Sequence, residues 1–272
     1  MDYLHSLIMG IIQGLTEFLP VSSSAHLALY PRIFNVHSAL LDSVSYDVAL
    51  HAGTLVALVI FFWKRILTLL GAFFKGLASA EARKTQDFRM GLFVIIATIP
   101  GALVGFKWNK YIEETFRDPV KIGTLLIVFG LILWLADRIG KKSRETGAMN
   151  FFDSVIIGIA QAIALIPGVS RSGITITAGM FLGFKRKDAA EFSFIMSIPI
   201  VAGAFLLELK HLIKTSSAGG FGLSFIGFAA AAITGIFTIK FMLDFVKKNS
   251  YVPFVIYRVV FGAVLVACFV KW

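Results

Sequence analysis

Six apolar runs set the limits on what this chain can fold into. They lie at roughly 46–63, 90–106, 120–136, 192–208, 222–243 and 253–270. A helix needs about 20 such residues to cross a bilayer, and fewer where flanking residues snorkel. Each run therefore reads as a membrane-spanning helix. The polar breaks between them fall at Lys64 to Arg89, Lys107 to Lys121, Arg138 to Asn150 and Lys210 to Gly220. Composition excludes the alternatives. Hydrophobic residues make up 57% of the 272 and charged residues 15%, against about 25% charged in soluble proteins. So few charges cannot cover a soluble surface, and such an apolar chain is not disordered. The net charge of +10 sits in clusters between the apolar runs, which fits loops beside anionic lipid rather than a nucleic-acid partner. The single cysteine, Cys268, allows no intramolecular disulfide. Asp2 stands where a signal peptide would begin with basic residues, so no cleaved signal is expected.

Two further stretches are apolar but broken. Leu4 to Tyr30 is interrupted at Pro20-Val21-Ser22-Ser23-Ser24, and Ser154 to Phe184 at Pro167-Gly168-Val169-Ser170-Arg171-Ser172. They align without a gap at an offset of 148, so that Gln13 falls on Gln161, Val21 on Val169, Ser22 on Ser170 and Ser24 on Ser172. Each arm is too short to cross, and the exposed backbone at each break is tolerated in a membrane only when buried in protein or facing water. Both stretches, 4–34 and 154–184, are predicted to be re-entrant helical hairpins. Each half, 1–137 and 151–272, is then a hairpin followed by three spans, joined by a basic linker at 138–150. Three spans per half force opposite orientations, an inverted repeat. The fold class is all-α integral membrane, with six transmembrane helices and two re-entrant hairpins whose tips meet inside.

Charge gives the topology. Segments on the side opposite the N-terminus carry sixteen Lys and Arg, and those on the N-terminal side eight. That excess places the opposite side in the cytoplasm and both termini outside. A site reached through the first hairpin would open outward.

The chemistry concentrates at the two breaks. Gln13 and Glu17 are four apart and share a helix face. Pro20 ends that helix, and the serines after it can cap the next. His26 follows Ser22 and Ser23 by four and three residues and can share their face. Ionisable groups inside a membrane are functional candidates by default. At the second break, Gly168 and Gly173 would let the backbone approach a ligand. Arg171 and the N–H groups of a helix starting near Ser170 call for an anion, and a phosphate fits both. The alternative is that Arg171 pairs with Glu17 for structure alone. Asp47 and His51 either line the outer mouth or sit at the interface. Arg258, five residues past Pro253, reads as a snorkelling residue. No zinc pattern, Walker A loop, dinucleotide fingerprint or Asp-rich motif is present.

These residues resemble a known family. Gln13-x-x-x-Glu17, Pro-Val-Ser-Ser ending in His26, and Pro-Gly-Val-Ser-Arg-Ser-Gly-Ile-Thr at 167–175 are similar to the motifs of the undecaprenyl-diphosphate phosphatases, also called bacitracin-resistance proteins. The similarity extends to Glu-Phe-Ser-Phe at 191–194 and Ile-Tyr-Arg at 256–258. The family allows Glu or Gln at the first motif position; with Gln13 here, Glu17 is the lone carboxylate of that pair. The resemblance implies hydrolysis of undecaprenyl diphosphate to undecaprenyl phosphate and phosphate in the bacterial plasma membrane. That reaction recycles the lipid carrier for peptidoglycan and underlies bacitracin resistance. It implies Glu17, Ser23, His26 and Arg171 as catalytic residues, with His26 as base. Gln13, Ser22, Ser24, Ser170, Ser172 and Thr175 are expected around the substrate. A divalent cation, Mg²⁺ or Ca²⁺, is implied, with Glu17 as its ligand. The partners expected are a polyprenyl diphosphate and the membrane; a homodimer is left open. The inverted repeat by itself equally suits a transporter or flippase of a polyprenyl phosphate. Ser23 beside His26 and Arg171 favours an enzyme.

Overall fold

The structure is a computed structural model that describes residues 1–215 and 220–270. Lys271, counted among the outer cations, and residues 216–219 of the last polar break lie outside the described residues. Among the described residues the chain is helical with no strand: α1 Asp2–Thr16, α2 Ser23–Ile33, α3 Val44–Ala78, α4 Ala80–Arg83, α5 Gln86–Phe116, α6 Pro119–Ile139, α7 Phe151–Ile163, α8 Arg171–Phe181, α9 Arg186–Thr215, α10 Phe221–Lys248 and α11 Val252–Phe269. Six of them, α3, α5, α6, α9, α10 and α11, are long and apolar enough to cross a membrane. They coincide with the six apolar runs, and the protein is a multi-pass membrane protein.

The two interrupted stretches form helix–turn–helix units. The first helix of one ends at Thr16, four residues before Pro20, and α2 starts at Ser23. In the other, α7 begins at Phe151 behind an Asn150–Asp153 capping box, three residues earlier than the hairpin bounds read from sequence. α8 starts next to Ser170, where the sequence places a helix start, and Ser170 Oγ accepts from Gly173 N at 3.1 Å. The serine cap expected at α2 is not made. Ser22 occupies the cap position but makes no side-chain cap bond; its hydroxyl meets Ser24 Oγ at 3.2 Å. Ser22 and Ser170, equivalent under the 148-residue offset, both hold positive φ, 74° and 73°. Non-glycine residues rarely adopt that conformation, so surrounding contacts must hold it.

The open ends of these units sit in different surroundings. His5 Nδ1 bonds Tyr30 Oη across the first, and Ser6 Oγ donates to Leu223 O and accepts from Tyr46 Oη, beside the starts of α10 and α3. At the second, Arg144 joins Asp153 to Leu182 O. Nearby, buried Asp137 at the end of α6 accepts from Arg186 Nε and Tyr251 N, at the starts of α9 and α11. The helix pairings exchange under the offset: α1 packs on α10 and α7 on α5, α3 on α10 and α9 on α5.

Small residues allow this packing. Lipid gives no hydrophobic drive between spans, so helices must approach closely to gain contact. At the crossing of α6 and α11, a methyl group on Gly262 would come within 2.5 Å of Gly123 O and 2.8 Å of Ile127 Cγ1. Gly10 and Gly53 bring α1 and α3 equally close to α10 backbone at Gly227 and Phe228. Gly262→Val should therefore destabilise the protein by about 1–3 kcal/mol through overpacking, read as a lowered Tm in detergent. Gly71→Ala is the control, because no atom lies within 4 Å of the added methyl. It should leave Tm unchanged or slightly raised.

Candidate active site

The turns of the two hairpins meet. Glu17, at the end of α1, pairs through Oε1 with Arg171 Nη2, at the start of α8. Its other oxygen accepts from Ser23 Oγ at 2.6 Å and from Gln13 Nε2 at 3.2 Å. Ser172 Oγ donates to Leu19 O at 3.1 Å, a second strut between the turns. The pairing of Arg171 with Glu17, set against an anion site in the sequence reading, is thus present. It leaves Arg171 Nη1 a buried donor with no partner. One guanidinium arm is therefore free for an anion while the other holds the carboxylate.

Arg258 is the residue whose position the sequence misplaces. It does not snorkel; it is fully buried. Its Nη1 donates to Pro20 O at 3.1 Å, in the first turn. Its Nη2 donates to Gly168 O at 3.0 Å and Val169 O at 2.9 Å, in the second. Its Nε donates to Leu126 O on α6 at 3.1 Å. Two glycines make the channel for it. A methyl on Gly173 would lie 2.8 Å from Arg258 Nη1, and one on Gly130 would lie 3.2 Å from Arg258 Cβ. Gly173 is thus small to admit Arg258, not a ligand. Gly168, at φ 94°, is small because Ile122 O lies 2.8 Å from where its Cβ would be.

A cavity of about 250 Å³ opens beside the paired turns, lined on its polar side by Glu17, Ser23, Ser24, His51, Gln161, Ser170 and Arg171. Val48, Ala164, Leu165, Ile200, Val201 and Ala204 form its apolar side. Of the residues expected at the site, Glu17, Ser23, Ser24, Ser170 and Arg171 line it, and Gln13 lies behind Glu17. Ser22, Ser172, Thr175 and His26 are not among its lining residues. The reasons are local: Ser22 meets Ser24, Ser172 bonds Leu19 O, and Thr175 Oγ1 meets Ser193 Oγ at 2.7 Å.

His26 is turned the other way. Its Nδ1 lies 2.8 Å from Ser22 O, a carbonyl that only accepts, so that nitrogen carries the proton. Its Nε2 then accepts from Tyr257 Oη at 2.6 Å, and the ring stacks on Phe261. Ser23 donates to Glu17 and makes no bond to His26. The helical spacing of Ser23 and His26 did not settle direction, because α2 offers two faces and α11 covers the one that carries His26.

His51, whose spacing from Asp47 suits either the mouth of a site or the interface, lines the cavity. Its Nδ1 donates to Asp47 O at 2.7 Å, and its Nε2 lies 3.5 Å from Glu17 Oε2. Asp47 itself pairs with Arg117 at 3.2 Å. The i, i+4 spacing of Asp47 and His51 was legible; what placed His51 at the site is the packing of α3 against the first hairpin.

Whether a divalent cation suits these residues turns on oxygen donors, which hard cations require. Among the described residues no cluster of three His, Cys, Asp or Glu stands ready for a metal. Two oxygen sources are candidates: the Glu17 carboxylate, engaged by Arg171, Ser23 and Gln13 in this structure, and Gln13 Oε1, a buried acceptor without a partner. A cation that takes few protein ligands and fills its shell from phosphate and water fits that pair.

Comparison with known proteins decides the family. The profile described as bacitracin resistance protein BacA matches residues 6–264. The chain belongs to the BacA family. It is 45% identical over 270 residues to an undecaprenyl-diphosphatase of Moorella thermoacetica, covering 99% of this chain and 98% of that one. It is 40% identical over 265 residues to an undecaprenyl-diphosphatase of Alcanivorax borkumensis, covering 97% and 98%. A relative of the same name from Geotalea daltonii is 45% identical over 264 residues, covering 96% of each chain.

Within this BacA-family site, Arg258→Lys tests the link between the turns. An ammonium keeps the charge but loses the planar fork that reaches several carbonyls at once. Each lost bond from a charged donor costs about 1.5–3 kcal/mol. Arg258→Lys should lower Tm and reduce catalytic turnover at least tenfold, roughly the effect of one such bond. Tm by scanning calorimetry and turnover on the same preparation check it.

Proposed function

We infer that this BacA-family protein is an undecaprenyl-diphosphatase: it hydrolyses undecaprenyl diphosphate to undecaprenyl phosphate and inorganic phosphate. The observation that carries this reading is the cavity where Ser23 donates to Glu17 beside the unpartnered Nη1 of Arg171. The names of full-length relatives point the same way. They do not favour a polyprenyl-phosphate flippase. The product is the lipid carrier on which peptidoglycan precursors are built, so the activity would sustain cell-wall synthesis and shape. It would also deplete the diphosphate form of the lipid, the basis of bacitracin resistance.

Each residue has a role that its contacts support. Arg171 grips the terminal phosphate with the fork of its guanidinium, Nη1 first. The first N–H groups of α8 add the positive end of a helix dipole. Ser23 faces the phosphorus as nucleophile or as phosphate ligand, with Glu17 as acceptor of its proton. Gln13 holds the second Glu17 oxygen, and Ser24 and Ser170 donate to phosphate oxygens. Ser22, Ser172 and Thr175 act one step back, by shaping the turns. His26, through Ser22 O and Tyr257, fixes the start of α2 and therefore Ser23. Val48, Leu165, Ile200 and Val201 take the first units of the lipid chain. A cation, Mg²⁺ or Ca²⁺, would be held by Glu17 and Gln13 Oε1 and would neutralise charge on the diphosphate.

The membrane arrangement proposed is an inverted repeat in the bacterial plasma membrane, with the hairpins re-entrant from opposite sides and the cavity open to the outside. The exchange of helix pairings under the offset supports the first part, and the sixteen-to-eight split of Lys and Arg the second. On a Cys268→Ser background, a membrane-impermeant maleimide should label Asn35→Cys in intact cells and Lys141→Cys only after lysis. The reverse pattern would overturn the orientation.

Phosphate release from undecaprenyl diphosphate by the purified protein tests the function. Wild type should release phosphate, and EDTA should stop it until Mg²⁺ or Ca²⁺ is restored. Arg171→Lys should lose about 10²–10³ in rate, as for removal of one electrostatic stabiliser. Ser23→Ala should fall to background if Ser23 is the nucleophile, and by roughly 10- to 100-fold if it only binds phosphate. Near-normal turnover in Arg171→Lys, Ser23→Ala and Glu17→Ala together would sink the hydrolase reading.

A further inference from the structure

Gln161, the counterpart of Gln13 in the second half, is unused by the roles above. It is buried, with 1% of its surface exposed, yet it lines the cavity. Its amide orientation is fixed by chemistry: Nε2 lies 3.1 Å from Ala97 O, and a carbonyl only accepts, so the nitrogen must face it. Gly101 keeps the side chain against α5, since a methyl there would lie 3.3 Å from Gln161 Cγ. The other end, Oε1, is a buried acceptor with no partner. Leaving such a group unpaired costs about 1–3 kcal/mol, so the position calls for a hydrogen-bond donor.

Few donors are available. The phosphate oxygens of a diphosphate accept, and a polyprenyl chain has no polar hydrogen. Ser23 donates to Glu17. Ser170 Oγ accepts from Gly173 N, and its own proton, like that of Ser24, goes to phosphate in the roles above. Arg171 Nη1 is the free donor of the cavity, and the phosphate is its acceptor. Water remains. We propose that Gln161 is a positioning residue whose Oε1 holds the hydrolytic water in the cavity, a deepening of the hydrolase reading on which it rests. The water's oxygen bonds to phosphorus as the P–O bond to the displaced oxygen breaks. One water proton stays on the released phosphate and the other passes to the displaced oxygen. That oxygen belongs to the lipid phosphate in direct attack, or to Ser23 if a phosphoserine forms first; a water is needed in both orders.

The test uses the purified full-length protein in detergent with undecaprenyl diphosphate. Gln161→Leu and Gln161→Met keep the volume and remove the acceptor. Both should lose kcat roughly 10- to 100-fold, the scale of one catalytic hydrogen bond. KM should stay within about twofold, because the phosphate and lipid contacts are intact, and Tm should stay near wild type. Unchanged kcat overturns the proposal. So does a loss that comes with a raised KM and a lowered Tm, which would make Gln161 a packing residue. If neither variant folds, the wild-type protein decides: a high-resolution structure with inorganic phosphate should show a water within about 3.2 Å of Gln161 Oε1, and a dry Oε1 overturns the proposal. A wild-type protein that releases no phosphate would instead count against the hydrolase reading.

Discussion

The guanidinium of Arg258 is the point on which the rest of the site depends. Each hairpin break leaves backbone carbonyls without helical partners, and buried in the protein they are cut off from bulk water. Pro20 O comes from one break, and Gly168 O and Val169 O from the other. One cation satisfies all three, and a carbonyl of α6 as well. Among the described residues no carboxylate pairs with it; its charge is balanced by converging carbonyl dipoles. The cost of burying that charge is offset only while both turns stay in place. Removing either turn would strand the other's partner, which makes the junction an all-or-none arrangement.

That junction fixes the geometry of the reacting groups. Ser22 and Ser170 keep their positive φ because the turns on which they sit are held from behind by Arg258 and, at the second turn, by the close approach of Ile122 O to Gly168. Immediately after those strained residues come Ser23 and Arg171, the first residues of α2 and α8. Glu17 then bridges them, with one oxygen on each. The resting site is an ion pair with one guanidinium arm unused. A phosphate that takes that arm shares Arg171 with Glu17 and draws its charge towards Ser23. On the proposed function, the strain, the clamp and the carboxylate bridge would together hold a preorganised seat for a phosphoryl group.

Much of this was legible in the sequence. The spans followed from run length, and the breaks from Pro20 and Pro167 with their serines. Glu17, Ser23 and Arg171 stood out because ionisable and hydroxyl groups are costly at such breaks. What was not legible depends on which way a side chain points once helices pack. Arg258 lies early in α11, where a snorkelling path is short in sequence terms. It points inward because Gly123 and Gly262 bring α11 onto α6, and because Gly130 and Gly173 leave it a channel. The glycines of the second turn were read as room for a ligand and are room for Arg258 and for Ile122 O. His26 shares a helix with Ser23 but faces α11, where Tyr257 and Phe261 hold it. His51 reaches Glu17 only because α3 packs beside the first hairpin, a contact that no local spacing encodes.

The claim that both hairpins build one phosphate site is tested most directly by the structure of the protein with a non-hydrolysable methylene analogue of the diphosphate. The expected result is a terminal phosphonate bonded by Arg171 from the second hairpin and by Ser23 or Ser24 from the first, with Arg258 still on Pro20 O and Gly168 O. A phosphonate held by one hairpin alone, with the two turns drawn apart, would contradict it.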